Sequence, residues 1–462
     1  MERTAVPVAN VSLIERRSID AIPDAERHGH LFSQFTLWLG ANLQVTAVVV
    51  GALAVVLGGD VFWSLVGLLV GQICGGAVMA LHGAQGPQLG LPQMISCRVQ
   101  FGVYGAIVPL VLVCVMYVGF SAGGTVLAAQ ALAELLHVSH TAAIVIFALF
   151  VTLLAGFGYR TIHAMGRLSS IVGTLAFLYL FASLLHGHAF AALLANRHFT
   201  LASFLLAISL SASWQIAYGP YVADYSRYLP KTTSPAKTFL AVFCGTVIGA
   251  QVSMTFGVLA AALAGDRFSG HEVAFIVQLG ATGAIAAVLY FTVALGKLTV
   301  TTLNAYGSVM SVAAILSGFG GRCEISPRTR LIFVLLSVAA SSGIALAGQH
   351  DFLKAFSSFL LFLLVFFTPW SAINLVDYYW ITRARYDVPA LFEPDGRYGR
   401  WNVTGLAVYV AGVLVQMPFV ATGFYTGPWV DALGGVDVSW IVGIVVPGVL
   451  YYALLRRPHR RG

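Results

Sequence analysis

Apolar runs alternate with short polar stretches along the whole chain. They fall at residues 31–57, 62–82, 103–132, 140–158, 168–186, 201–219, 236–264, 283–317, 330–348, 352–376, 403–423 and 438–455. About 20 apolar residues let a helix cross a bilayer, and each run approaches or exceeds that length. The pattern predicts an all-α, polytopic membrane protein with about 12 transmembrane helices. Residues 83–101, carrying Gly86-Pro87 and Leu91-Pro92, read as a loop or re-entrant turn. Residues 271–282 read as a short extra helix outside the bilayer.

Two runs are interrupted by polar residues. The first contains Gly40-Ala41-Asn42-Leu43-Gln44. Backbone at membrane depth must satisfy its own hydrogen bonds unless it borders a water- or ligand-filled cavity. A glycine-flanked polar patch therefore predicts a broken helix that lends backbone groups to a solute. The plainer reading is a continuous helix whose Asn42 and Gln44 bond to neighbouring helices. Five runs later, residues 201–219 contain Ser209, Ser211, Ser213, Trp214 and Gln215, then Tyr218-Gly219, with Pro220 following. Because five is odd, the first and sixth spans run in opposite directions. Paired interruptions in two inverted halves point to the central site of a transporter, although serines and Gly-Pro also serve packing and kinking.

Composition and charge narrow the class. Of 462 residues, 58% are hydrophobic and 9% charged, against roughly 25% charged in soluble domains. The net charge of +7 is spread over loops rather than gathered on one face, so it reports topology and not nucleic-acid binding. With the N-terminus inside, 21 of the 25 Lys and Arg fall on the inner side; Arg197, Arg267 and Lys354 lie outside, and Lys297 lies within the eighth run. This asymmetry predicts two cytoplasmic termini, with the polar first 30 residues as an inner tail. Cys74, Cys97, Cys114, Cys244 and Cys323 show no paired spacing, so neither a disulfide framework nor a zinc site is expected. No run carries a His/Glu metal motif or a nucleophile with an adjacent base, which argues against a membrane-embedded enzyme. A channel would need a pore ring, usually built by oligomers, and a sensor a soluble output domain; neither is evident.

The stretch from Ser213-Trp214-Gln215 through Tyr218-Gly219-Pro220 to Asp224-Tyr225-Ser226-Arg227-Tyr228-Leu229-Pro230 resembles the sixth-span signature of the nucleobase–cation symporter family one. That family holds purine, cytosine, hydantoin and allantoin permeases. Gly83-Ala84-Gln85-Gly86-Pro87 through Phe101-Gly102-Val103-Tyr104-Gly105 is similar to its linker between spans two and three. Gly427-Pro428-Trp429 and Gly434-Gly435-Val436-Asp437-Val438-Ser439-Trp440 are similar to its last loop. The resemblance covers nearly the whole chain and implies the leucine-transporter-like fold. It divides the chain into a cytoplasmic tail (1–30), a ten-helix core of two inverted repeats (31–376), a cytoplasmic loop (377–402), two further helices (403–455) and a short tail (456–462). It implies a secondary active symporter of the cell membrane that imports a purine- or cytosine-like heterocycle with Na+ or H+ by alternating access. Allantoin, a hydantoin or a vitamin precursor are alternative substrates. Beyond the bilayer and a small heterocycle no partner is expected, and no cofactor beyond Na+ as a candidate coupling ion.

A nucleobase has two apolar faces and an edge of alternating donors and acceptors. Faces call for aromatic rings and edges for amides or hydroxyls, which Asn42, Gln44, Trp214 and Gln215 supply in spans one and six. The resemblance implies a cation between the carbonyls of Gly40 and Leu43, with Gln44 facing substrate. In the third span the family often has Trp, then Asn or Gln four residues on; alignment on Ala129-Gln130 puts Phe120 and Gly124 there. Gly124 offers no side chain and leaves room for a bulkier substrate. Phe120 and Trp214 are expected to sandwich the heterocycle, Trp214 being favoured over Tyr218. In the eighth span Thr301 and Thr302, or Thr299, would complete the cation site, hard oxygen ligands suiting a small cation; threonines also bond back to their own helix. Asn304 is a further candidate for the substrate edge. A charge near mid-helix costs roughly 2.5–3.5 kcal/mol on insertion scales, so Lys297 reads either as a coupling residue one turn before Thr301 or as a side chain that snorkels or pairs with a carboxylate. At the inner ends, Asp224 with Arg227, and Asp377 with Arg383 and Arg385, read as gate contacts or surface ion pairs.

Overall fold

Among the described residues, seven helices are long and apolar enough to cross a membrane, two further spans are bent helix pairs, and three are shorter apolar helices. They correspond one for one to the apolar runs of the sequence. The structure is a computed structural model that describes residues 19–156, 159–320 and 327–456. Expectations that touch residues 1–18, Cys323 and residues 457–462 lie outside these. The first span is a pair, α1 (Leu31–Asn42) and α2 (Val45–Val56). Then come α3 (Val61–Gly83), α4 (Ile107–Leu136), α5 (His140–Gly156) and α6 (Tyr159–Gly187). The sixth span is again a pair, α7 (Leu201–Ile216) and α8 (Gly219–Ser226). It is followed by α9 (Pro235–Ala264), the short α10 (Glu272–Gln278), α11 (Gly283–Gly320), α12 (Pro327–Gly348) and α13 (Phe352–Val376). The chain closes with α14 (Val403–Gln416) and α15 (Ser439–Leu455).

Two glycine stripes set the packing. On α3, Gly67, Gly71 and Gly75 recur every fourth residue and seat α7; a Cβ at Gly75 would lie 2.7 Å from the Ala212 carbonyl oxygen. On α9, Gly245, Gly249 and Gly257 seat the first span; a Cβ at Gly249 would lie 2.5 Å from the Leu39 carbonyl oxygen. In a bilayer, where lipid tails are as apolar as leucine, small residues that bring backbones together drive helix association. Spans two and seven also pack on each other, as do spans three and eight. This set of contacts maps onto itself when spans one to five are exchanged with six to ten, as an inverted repeat requires.

Three boundaries differ from the sequence reading. The sixth span runs on to Ser226, because Gly219-Pro220 opens a second helix rather than ending the first: proline at the start of a helix loses no hydrogen bond. The eleventh span, α14, stops at Gln416, seven residues short of the apolar run, and a 3-10 turn with Pro418 follows. The linker 83–101, expected as a loop or re-entrant turn, is three single-turn helices (Gly86–Leu89, Gln93–Ser96 and Arg98–Phe101), buried except at Gln88. A buried linker must place all its polar groups. Arg98 donates to the carbonyls of Leu391 (3.0 Å) and Ala314 (2.8 Å) and to Ser317 Oγ (2.8 Å), and Asp224 Oδ1 accepts from the Gln93 amide (2.8 Å).

Candidate substrate and coupling site

The first break is two residues long. Leu43 leaves the helix with ψ 69° and Gln44 is extended (φ −147°, ψ 155°), bending the span by 58°. Gly40 itself stays helical, and its carbonyl accepts the Leu43 amide at 3.1 Å. The carbonyl of Asn42, which a straight helix would have used, accepts from Ser253 Oγ of α9 at 2.7 Å. The Asn42 side chain, wholly buried, donates to the Trp38 carbonyl (2.7 Å) and Thr246 Oγ1 (3.1 Å). Its Oδ1 accepts from Trp214 Nε1 at 2.7 Å, so the two broken spans are joined directly at their breaks.

The sixth span bends by 40° at Ala217-Tyr218, where Pro220 supplies no amide hydrogen. Ser213 Oγ donates to the Leu360 carbonyl of α13. Trp214 and Gln215 point different ways, as successive helical residues must. Trp214 turns to the first span. Gln215 turns to α3 and α9: its Nε2 donates to Gln72 Oε1, and its Oε1 accepts from Thr246 Oγ1 at 2.6 Å. Gln72, Thr246 and Ser253 escaped the sequence reading; the glycine stripes on either side of them, at 67–75 and 245–257, were the signal that these helices line the centre.

Aromatic rings gather on the other side of Trp214. Phe120 of α4 meets it edge-on at 5.8 Å and 88°, and Tyr218 does so at 5.7 Å and 88°. Phe359 in turn meets Phe120 at 5.3 Å. Two perpendicular rings in contact hold no planar heterocycle between them, so in this conformation Phe120 and Trp214 do not form the expected sandwich.

The side chains beside the first break gather on Lys297. It is 3% exposed and donates to Gln44 Oε1 at 2.8 Å and to Thr46 Oγ1. It neither snorkels nor pairs with a carboxylate among the described residues, and its partners are side chains at and just after the break rather than the Gly40 and Leu43 carbonyls. The space over Gly124 is bordered by this lysine: a Cβ there would lie 3.2 Å from Thr301 Oγ1 and 3.6 Å from the Lys297 stem. Thr301 Oγ1 is buried without a hydrogen-bond partner, an orphaned hard oxygen that would suit a small cation. Thr302 bonds back to the Leu298 carbonyl (2.7 Å), and Thr299 to that of Leu295 (3.1 Å). Asn304, half-buried, lies about 10 Å along α11 from Lys297 at 1.5 Å per residue. The structure thus brings Asn42, Gln44, Trp214, Phe120, Gly124, Lys297 and Thr301 together, and turns Gln215 and Thr302 elsewhere.

Just past the end of α13, Asp377 is not paired with Arg383 or Arg385. Its carboxylate accepts from Gln100 Nε2 (2.9 Å), Tyr386 OH (2.9 Å) and Tyr451 OH (3.1 Å). Neutral donors suit a carboxylate that is 3% exposed, whereas Arg383 and Arg385 sit in the adjoining loop. From Asp377 a buried chain of amides runs through Gln100, Asn374, Gln85 and Gln93 to His82 on α3.

Comparison with known proteins accords with this architecture. The chain is 38% identical over 443 residues to the putative purine-cytosine permease YxlA of Bacillus subtilis, covering 96% of each chain. It is 26% identical to the purine-cytosine permease fcyB of Emericella nidulans, over 96% of this chain and 88% of that one. Its structure superposes on the inward-facing conformation of Mhp1 with a TM-score of 0.77 at 20% identity, over 95% and 93% of the two chains, and so has the leucine-transporter-like fold. The profile of one family matches residues 21–443, and the protein belongs to that family, the permeases for cytosine/purines, uracil, thiamine and allantoin.

Proposed function

We propose that the protein is a secondary symporter that carries a purine- or cytosine-like heterocycle into the cell together with a cation. The observation that carries this reading is the junction of the two broken spans, where Trp214 of one is bonded to Asn42 of the other. Around that junction lie the two things a nucleobase demands: aromatic faces at Trp214, Phe120 and Tyr218, and an amide with spare capacity at Gln44. A solute held there touches both repeats, so their relative movement opens it to one side or the other. The purine-cytosine names of the relatives support this substrate class over allantoin or a hydantoin. The 21-to-3 split of basic residues supports a cell-membrane orientation with both termini in the cytoplasm. The test is uptake by proteoliposomes of cytosine, hypoxanthine, uracil, allantoin and thiamine under imposed H+ or Na+ gradients. Concentrative uptake of cytosine or hypoxanthine is expected. Uptake that only equilibrates, or accumulation of allantoin or thiamine alone, would overturn the reading.

A further inference from the structure

Lys297 has an environment built for a charge that comes and goes. Its ammonium is enclosed by neutral oxygens, Gln44 Oε1 and Thr46 Oγ1, and forms no ion pair among the described residues. The titratable groups that face this stretch of α11 are few. Tyr218 directs its hydroxyl at Gln44, and Tyr290 lies two turns away on α11 with Glu134 of α4 beside it. Among the described residues, the first span and α6 bring the hydroxyls of Thr46 and Ser169 to this stretch, and Arg167 is exposed.

The geometry ties this lysine to the substrate edge. Gln44 is held at both ends of its amide, Oε1 by Lys297 and Nε2 by the Ala41 carbonyl at 2.7 Å. Held so, it keeps one acceptor lone pair for a ligand, while its second N–H faces the Tyr218 hydroxyl, so a nucleobase edge would meet the amide and the phenol side by side. A charge-assisted hydrogen bond is about twice as strong as a neutral one, so the ammonium fixes this amide far better than the amine does.

We infer that Lys297 carries the coupling proton and that Gln44 transmits its charge state to the bound heterocycle. One proton from the outer solution converts the Nζ amine to ammonium, the Gln44 amide sets, and the neutral heterocycle binds. After the inward opening the heterocycle leaves and the same proton passes to cytoplasmic water, regenerating the amine. Each cycle moves one heterocycle, one proton and one positive charge. Because such linkage is reciprocal, substrate binding must also draw a proton onto the protein.

This inference rests on the proposed transport of a heterocycle, and the experiment separates the two. Parent, Lys297→Met and Lys297→Arg proteins are reconstituted, and cytosine and hypoxanthine are used as probes for binding between pH 5 and 9, for counterflow exchange and for gradient-driven accumulation. In the parent, affinity falls about tenfold or more as pH rises, the scale of one charge-assisted hydrogen bond. Lys297→Arg, which cannot lose its proton, binds with a flat pH profile and exchanges but does not accumulate. Lys297→Met binds more weakly, also with a flat profile. Accumulation by Lys297→Met under a proton gradient at the parent level overturns the inference, as does parent accumulation driven by Na+ alone with no proton uptake on binding; the Gly40, Leu43 and Thr301 oxygens then hold the coupling ion. A parent that neither binds nor moves either probe overturns the function itself. Should Lys297→Met not survive purification, Lys297→Gln takes its place with the same expected outcomes.

Discussion

Trp214→Phe separates the two duties of the residue at the junction. The indole N–H is bonded to Asn42 Oδ1 at 2.7 Å, and Asn42 is wholly buried. Phenylalanine keeps an aromatic face but withdraws the donor, leaving a buried acceptor unsatisfied at a cost of about 1–3 kcal/mol. That cost falls on the folded state with or without ligand, so it belongs to stability. Trp214→Ala loses the face as well, and stacking of a base on an aromatic ring is worth about 1–3 kcal/mol, tenfold or more in affinity over most of that range. The assay is thermal denaturation of the purified protein with and without nucleobase, together with a direct binding titration. Trp214→Phe is expected to denature at lower temperature while its affinity stays within about threefold of the parent, since the ring face is kept. Trp214→Ala should lose both. In an Asn42→Ala background, where no acceptor is left behind, the cost of Trp214→Phe should shrink, the signature of a direct pair. If Trp214→Phe weakened binding as much as Trp214→Ala while stability held, the indole N–H would be addressing the ligand, and the assignment to Asn42 would fail.

Gln44→Ala is expected to reorder the ranking of heterocycles, whereas Gln215→Ala, which strands Gln72 Oε1 and the proton of the Thr246 hydroxyl, should cost about 1–3 kcal/mol of stability with the ranking unchanged; competition binding across the panel checks both. Asp377→Asn replaces one of two accepting oxygens by an NH2 group that faces at least one of the three donors, so denaturation at lower temperature and faster proteolysis between α13 and α14 are expected. Single cysteines placed at Arg267 and at Gly462 in a cysteine-free background should label from outside and only from inside, respectively; labelling of position 462 in intact cells would invert the topology.

Hydropathy and the local chemistry of Gly-Pro are properties of adjacent residues, which is why both broken spans could be read from the chain alone. The register of the first break could not. Gly40 marked it, yet Gly40 stays helical and the chain opens at Leu43 and Gln44, where Ser253, more than two hundred residues away, takes the freed carbonyl. The facing of Gln215 was legible in principle: next to Trp214 on a helix it must turn roughly 100° away. The burial of residues 83–101 was not, because glycine and proline announce turns but say nothing of what packs over them; most such segments lie on the surface. Asp377 was read with the nearest arginines in sequence, while two of its three partners, Gln100 and Tyr451, come from distant parts of the chain.

The two glycine stripes carry a consequence for how the chain is made. Each broken span is seated on a helix of the opposite half: the first on α9, the sixth on α3. During synthesis the first span therefore enters the bilayer long before its seat exists. Until α9 is threaded in, Asn42 lacks Thr246 and Ser253, Trp214 has not yet arrived, and the break stands open in lipid with polar groups it cannot satisfy. The earliest segment to be inserted is thus among the last to be completed, and its quality is decided by residues translated some two hundred codons later. Lesions in the α9 stripe, such as Gly249→Leu, should then surface as failed insertion or early degradation of the N-terminal half rather than as a sluggish carrier.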